Sequence, residues 1–309
     1  MSISSKLKEV KIGVLMGGDS REREISLKSG SAVCSALKNY GLKVEEIDIK
    51  GNPRALIRKA KPDVCFVALH GTGGEDGKIQ GMLEIMKIPY TGSNAKASKL
   101  AFNKWEARAA FEANDIPVPK GVLLTRKNYR SKIKNIRFPV FLKPVEEGSS
   151  IGIRLLNDRR TVEWEITEGF KTYSKLIMED KIFGRELTVG ILGDEALPII
   201  ELSTERPFFD YEAKYKKGLT KYFADLHLDP AEYKRYQDVA LKVFKVLGTR
   251  DFARVDMMID SWGNPFVLEL NSIPGLTKMS LLPKAAEKIG IDFTQLCLRI
   301  LDGAISRMK

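Results

Sequence analysis

Histidine is scarce in this 309-residue chain, which has only His70 and His227. That removes most zinc sites and most nucleophile–histidine triads at once. Cysteine is nearly as rare. Cys34, Cys65 and Cys297 are odd in number, far apart and set among apolar neighbours such as "DVCFVAL", so they read as buried thiols of a reducing compartment and not as a disulfide framework. No apolar run approaches membrane-spanning length, and "MSISSKLKEV" lacks the apolar stretch of a secretory signal; no membrane partner is expected, and the cytoplasm is the expected location. The familiar nucleotide fingerprints are missing too. In "GTGGEDG" the third glycine falls one place late for G-x-G-x-x-G, and no G-x-x-x-x-G-K-[ST] occurs. A bound nucleotide would therefore need another architecture.

What is present suits a globular protein of two or three domains, with 43% apolar and 29% charged residues. The net charge of +11 is uneven: +4 over residues 1–92, +8 over 93–178 and −1 over 179–309. Much of the middle excess lies in "RKNYRSKIKNIR", residues 126–137, with six basic residues and no acid. A solvated surface segment explains it without a function. The rival is a basic nucleic-acid-binding surface, which would bind in a salt-sensitive manner. No RNP or zinc-finger signature supports that, so no nucleic-acid partner is expected, and a compact anion such as ATP is an adequate partner.

The first third alternates strand and helix. "VKIGVLMGG" reads as a buried strand, "ISLKSGSAVCSALKNYG" as a helix, "KVEEIDI" as a strand, Pro53 to Ala60 as a helix, "DVCFVAL" as a strand and "KIQGMLEIM" as a helix. This is the rhythm of an α/β domain with a parallel sheet, whose ligands sit at the carboxyl ends of strands. Two polar stretches fall at those ends, "GGDSREREIS" and "HGTGGEDG". One helix is then expected from Asn94 to Asn114, followed by strands at "FPVFLKP", "KLIMEDKI", "ELTVGILGD" and "ALPIIEL". Between the first two of these strands, "VEEGSSIG" is a small-residue loop able to close over phosphates or to be a plain turn. Helices are expected near 158–170, 230–247, 281–288 and 293–306.

The stretch "RVDMMIDSWGNPFVLELNSIPG", residues 254–275, reads as a hairpin. With the turn centred on Trp262-Gly263, opposed residue numbers sum to 525, so Asp256 faces Glu269 and Arg254 faces Asn271. All four project from one face, leaving Val255, Met257, Leu268 and Leu270 for a core. Opposed carboxylates repel unless something positive lies between them. Oxygen-only donors favour Mg²⁺ over zinc. The plainer reading is a solvated face with ordinary surface charge, and a one-residue slip would scatter the set.

Taken in order, "GGDSREREISLKSG", "HGTGGEDGKIQGMLE", "PYTGS", "FLKPVEEGSSIGI", "FDYEAKY", "ARVDMMID" and "LELNSIPGLTKMSLLP" resemble the D-alanine–D-alanine ligase family of the ATP-grasp superfamily over nearly the whole chain. The resemblance implies a three-domain ATP-grasp architecture: an N-terminal α/β substrate domain at 1–92, a central ATP-grasp domain at 93–178 and a C-terminal ATP-grasp and metal-binding domain at 179–309. It implies ATP-dependent joining of two D-alanines through an acyl phosphate, for peptidoglycan precursors, by a homodimer. The alternative is an ATP-grasp ligase for another D-amino acid or D-hydroxy acid.

The same resemblance implies roles for residues. Two Mg²⁺ ions, with Mn²⁺ able to stand in, would sit on Asp256, Glu269 and Asn271. Lys104 and Lys143 would contact the phosphates, Lys214 would reach toward the γ-phosphate, and Glu179, Glu186 and Ile182 would hold adenine, ribose and the hinge contact. Arg254 and the Gly275 N–H would face the tetrahedral centre. Glu22 would hold the first substrate's ammonium group, His70 would lie beside its carboxylate, and Ser280 and Leu281 would form the pocket for the second carboxylate. Ser149, Tyr215 and Glu22 would form a hydrogen-bonded set aligning the loop over the site. Tyr215 also favours a dipeptide over an ester, since ester-forming relatives tend to carry histidine there. The chain departs from the family where "YFADLHLDP" places Asp225 and Leu226, a change either neutral in packing or felt by the second pocket.

Overall fold

The structure, a computed structural model, describes residues 6–204, 220–224 and 226–308. Its first unit is a parallel sheet in the order β2-β1-β3, from β1 (Lys11–Gly17), β2 (Lys43–Ile49) and β3 (Val64–Val67). The middle strand, "KIGVLMG", is buried along almost its whole length, as a strand covered on both faces must be. Helix α1 (Lys6–Glu9) precedes it; α2 (Arg23–Asn39), α3 (Pro53–Ala60) and α4 (Lys78–Met86) follow the strands. Asn52 caps α3 by accepting the Ala55 N–H, with Pro53 in its first turn.

Where one helix was expected from Asn94 to Asn114, there are two: α5 (Ala95–Phe102) and α6 (Lys104–Glu112). Asn103 stands between them with extended backbone (φ −84°, ψ 96°), and its side chain accepts the Glu106 N–H. The capping preference of asparagine overrides helical continuity and places Lys104 at the first position of α6.

A four-stranded antiparallel sheet follows in the order β4-β7-β5-β6, from β4 (Gly121–Thr125), β5 (Val140–Pro144), β6 (Arg154–Leu156) and β7 (Lys175–Asp180). Helices α7 (Tyr129–Lys132) and α8 (Val162–Thr172) accompany it. The six basic residues of 126–137 are all exposed, as the solvated reading expects. The largest sheet is antiparallel, β10-β9-β8-β11-β12, from β8 (Arg185–Leu192), β9 (Glu195–Thr204), β10 (Thr220–Phe223), β11 (Phe252–Ile259) and β12 (Pro265–Asn271). Helix α9 (Pro230–Val246) packs on it, and α10 (Leu281–Glu287) and α11 (Phe293–Ile305) close the chain.

Three apolar clusters hold these layers. The first joins the N-terminal sheet to α10 and α11 through residues such as Phe66, Leu282 and Leu301, so it draws on both ends of the chain. The second lies between the large sheet and α9, and the third under the four-stranded sheet. The three cysteines are buried thiols, as expected, and burial pushes each pKa up to about 12. Among the described residues, no helix is long and apolar enough to cross a membrane.

The hairpin keeps the expected register at its open end: Arg254 opposes Asn271 and Asp256 opposes Glu269. Nearer the turn the register shifts, so that Met257 opposes Val267. Leu268 is the extra residue of a bulge. It leaves the core position expected for it and joins Glu269 in facing the cleft, while Val267 and Leu270 are buried.

Candidate active site

Three loops and the hairpin build the site. The loop after β1 ends at Glu22, which precedes α2 and is buried, although its side chain makes no cap bond to that helix. Its carboxylate accepts instead from the Ser149 hydroxyl in the loop between β5 and β6. Gly148 makes this approach feasible, because a Cβ there would stand 2.3 Å from Glu22 Oε2.

The loop after β3 carries His70 and Glu75. The Ser29 hydroxyl accepts the Leu276 N–H at 3.2 Å, which directs its proton to His70 Nε2 at 3.0 Å. The other ring nitrogen donates to the Ile273 carbonyl. Burial, aided by the nearby Arg254 charge, lowers the His70 pKa to about 4, so the ring is neutral and braces the loop 272–276. Glu75 is buried and accepts the Gly71 N–H at 2.8 Å. With its amide nitrogen turned to acid, Asn271 donates to Glu75 Oε1 at 2.8 Å and accepts from Arg254 Nη2 at 3.2 Å. Burial first, and the Glu22 charge second, raise the Glu75 pKa.

On the hairpin, Arg254 and Asp256 are both buried, which rules out a solvated face. Arg254 donates from Nε and Nη2 to the two oxygens of Asp256 at 2.8 and 2.7 Å, and Thr188 adds a 2.5 Å bond. Opposite, Glu269 lies 3.3 Å from the Lys104 ammonium, which also donates to the Glu147 carbonyl. Positive groups of the chain thus relieve the carboxylate pair. Asp256, Glu269 and Asn271 offer oxygen donors only, a set suited to a hard divalent cation. Among the described residues, His, Cys, Asp and Glu form no cluster of three able to hold a metal unaided. An ion here would complete its shell from a ligand's oxygens.

Two cavities meet at this face. One, of about 650 Å³, is bounded by Glu22, Ser149, His70, Arg254, Asn271, Gly275, Ser280 and Leu281. The Ser280 hydroxyl accepts the Thr277 N–H at 3.1 Å and lies at the start of α10. The other, of about 440 Å³, lies between the two antiparallel sheets and is bounded by Lys143, Ser150, Glu179, Ile182, Glu186 and Asp256. Lys104 and Glu269 line both, so a molecule in each cavity would meet at that pair. Every described residue given a catalytic, substrate, nucleotide or metal role from the sequence borders one cavity or the other. Lys214, Tyr215 and Asp225 lie outside the described residues, while Leu226 packs against the second apolar cluster. Sequence reasoning missed Ser29, Glu75 and Lys284, the last of which borders the first cavity from α10. Glu75 had a signal, an acid inside the glycine-rich "HGTGGEDG", but nothing local marks a serine or lysine on an ordinary helix.

Residues 110–302 match the family described as D-ala D-ala ligase C-terminus, and residues 51–93 match D-ala D-ala ligase N-terminus. A D-alanine–D-alanine ligase from Pseudoalteromonas translucida is 42% identical over 94% of this chain and 96% of its own. One from Alkalilimnicola ehrlichii is 44% identical over 94% of this chain and 93% of its own. Among solved structures, the D-alanine–D-alanine ligase of Bacillus anthracis complexed with ATP is similar at a TM-score of 0.85 and 31% identity, covering 96% of this chain and 97% of that one. With two cavities meeting at a basic and acidic pair and a match running through nearly all of the sequence, this chain belongs to the D-alanine–D-alanine ligase family.

Proposed function

We propose that this protein joins two D-alanines into D-alanyl-D-alanine at the expense of ATP, as a cytoplasmic supplier of peptidoglycan precursors. The observation that carries the reading is the meeting of the two cavities at Lys104 and Glu269, with Arg254 buried beside it. ATP would occupy the cleft between the sheets, held by Glu179, Ile182 and Glu186 at the nucleoside and by Lys104 and Lys143 at the phosphates. Lys214 belongs to the same reading. The first D-alanine would place its ammonium at Glu22 and its carboxylate toward the shared face.

A carboxylate is a poor electrophile and needs activation. Its oxygen attacks the γ-phosphorus, the bond to the bridging oxygen breaks, and ADP departs from an acyl phosphate. Positioning and charge neutralisation supply most of such a step. Asp256, Glu269 and Asn271 would hold two Mg²⁺ ions, or Mn²⁺ in their place, which neutralise phosphate charge when bound. The amine of the second D-alanine, its carboxylate at Ser280 and Leu281, then attacks the acyl carbon. Negative charge gathers on the carbonyl oxygen beside Arg254 and the Gly275 N–H. The C–O bond to phosphate breaks, inorganic phosphate leaves, and the amine's surplus proton passes to solvent. His70 has both ring nitrogens engaged and serves as a brace for the loop that carries Gly275.

The same reading assigns residues 1–92 to a substrate domain, 93–178 to a central ATP-grasp domain and 179–309 to a C-terminal ATP-grasp and metal-binding domain, in a homodimer. Ser149, Tyr215 and Glu22 would align the covering loop. The test is phosphate release from ATP with Mg²⁺ and D-alanine, against L-alanine, D-serine and D-lactate, with the product identified by mass. D-Alanine-dependent release and D-alanyl-D-alanine are expected. A preference for D-serine or D-lactate as acceptor would move the reading to another ligase of the family.

A further inference from the structure

Arg108 borders the nucleotide cleft from behind, and no step above uses it. It lies on α6 one turn after Lys104, and both it and Glu179 are more than nine-tenths buried. Glu179 stands between two cations. Lys143 forms an ion pair with its Oε1, and Arg108 Nη1 lies 3.8 Å from its Oε2. The two cations differ in how firmly they are held. Arg108 donates to Glu112 at 2.8 Å, its guanidinium lies 5.7 Å from the Trp105 ring centre, and Gly121 leaves it room, since a Cβ there would come within 3.1 Å of Nη1. Lys143 has a flexible stem and sits at the end of β5, facing the cleft. The space left among Arg108, Lys143 and Glu179 is only about 10 Å³, no more than about one water molecule needs.

We propose that Arg108 is a positioning residue for the nucleotide, the fixed counter-charge that keeps Glu179 paired when Lys143 turns to the phosphates. The inference rests on the reading of Glu179 as nucleobase anchor and Lys143 as phosphate ligand. Lys143 cannot serve Glu179 and a phosphate at full strength together. Without Arg108, its departure would leave a buried carboxylate unpaired, which is the costly arrangement. With Arg108, nucleotide entry becomes an exchange: Lys143 moves from carboxylate to phosphate, and Glu179 stays paired and oriented, able to accept from an exocyclic amine of the base. The Arg108 Nε, buried without a partner, shows that the guanidinium is placed by its outer nitrogens and not by full satisfaction of its own bonds.

The experiment is steady-state kinetics of Arg108→Gln, Arg108→Lys and Glu179→Gln, and of Arg108→Gln in the Glu179→Gln background, with ATP and ITP, which lacks the exocyclic amine. Arg108→Gln is expected to raise KM for ATP about tenfold and to shrink the preference for ATP over ITP, with KM for D-alanine within about twofold of the parent. Arg108→Lys should recover most of the loss, and Arg108→Gln should add little once Glu179 is already neutral. An unchanged KM for ATP in folded Arg108→Gln overturns the proposal, as does an equal loss in both backgrounds, which marks a purely structural residue. If Arg108→Gln does not fold, Glu112→Gln decides. Removing that anchor should loosen Arg108 and raise KM for ATP about twofold, and no change overturns the inference. If Glu179→Gln alone leaves the ATP and ITP constants untouched, the underlying reading of Glu179 has failed, and the inference falls with it.

Discussion

At the scale of single residues, the site is a set of charges held by one another. Glu269 illustrates it: facing Asp256 across the ladder, it is balanced by Lys104 and borders both cavities. Glu269→Ala should lower turnover by about 10³-fold or more, because positioning and charge at the transferring phosphate are lost together. Its side chain is 26% exposed, so the fold should survive. Phosphate release and a thermal melt check both parts, and near-normal activity in a folded variant would remove the shared-face reading. His70 makes a different prediction. Its folded pKa of about 4 lies below the ordinary 6.5 through burial, so between these values the unfolded chain binds the extra proton. Stability from this group is full above pH 6.5 and falls as pH drops toward 4, by roughly 3 kcal/mol over the window. Urea midpoints from pH 7.5 to 4.5 should therefore fall more steeply for the parent than for His70→Gln, and parallel slopes would refute the buried neutral ring.

At the scale of elements, position depends on two interruptions. The break at Asn103 aims Lys104 at the cleft, and the bulge at Leu268 turns Glu269 the same way. Asn103 also donates to Glu146 at 2.7 Å, tying the break to the loop that reaches Glu22. Asn103→Ala should cost about 1 kcal/mol in urea unfolding through the lost cap. It should also raise KM for ATP as Lys104 loses its fixed start. A cap loss without any kinetic change would mean that Lys104 finds its place unaided. Both interruptions show what the sequence discloses. The pairing of Asp256 with Glu269 was legible because a period of two and a turn fix a local register. The bulge was not, because an extra apolar residue between Val267 and Glu269 leaves the stretch reading as an ordinary strand. Asn103 carried a capping signal, but apolar spacing ran through it on both sides. Ser29 acts on His70 and Leu276, and Arg108 on Glu179, partners far away in sequence that no local pattern records.

At the scale of the whole molecule, the question is what sets one cavity wall against the other. Glu22 and His70 follow strands of the N-terminal sheet, while Arg254 and Glu269 belong to the large antiparallel sheet. One buried carboxylate links these units. Asp251, just before β11, accepts from the Gly92 N–H at 2.8 Å and from Arg307, past the end of α11, at 2.8 and 2.6 Å. Arg307 also donates to the Tyr90 carbonyl at 2.9 Å, and Arg250 donates to the Gly92 carbonyl at 2.8 Å. The motif "PYTGS" is thereby gripped by the C-terminal part of the chain. Asp251 has a positive φ of 66°, which asparagine tolerates, so Asp251→Asn keeps the backbone but removes the charge and turns one accepting oxygen into an NH2 that faces a donor. That substitution should cost about 2 kcal/mol of stability, since the charge-assisted pairing is weakened and a donor loses its acceptor. Its kinetic signature should be selective. The cavity proposed for D-alanine has one wall on each unit, whereas the cleft proposed for ATP lies between the two antiparallel sheets. KM for D-alanine should therefore rise several-fold, by about 3 to 10 times if the walls shift by a fraction of an ångström, while KM for ATP stays near the parent value. Equal changes in both constants would mean that Asp251 supports the fold as a whole, and no change in either would mean that apolar packing of α11 alone holds the walls in register.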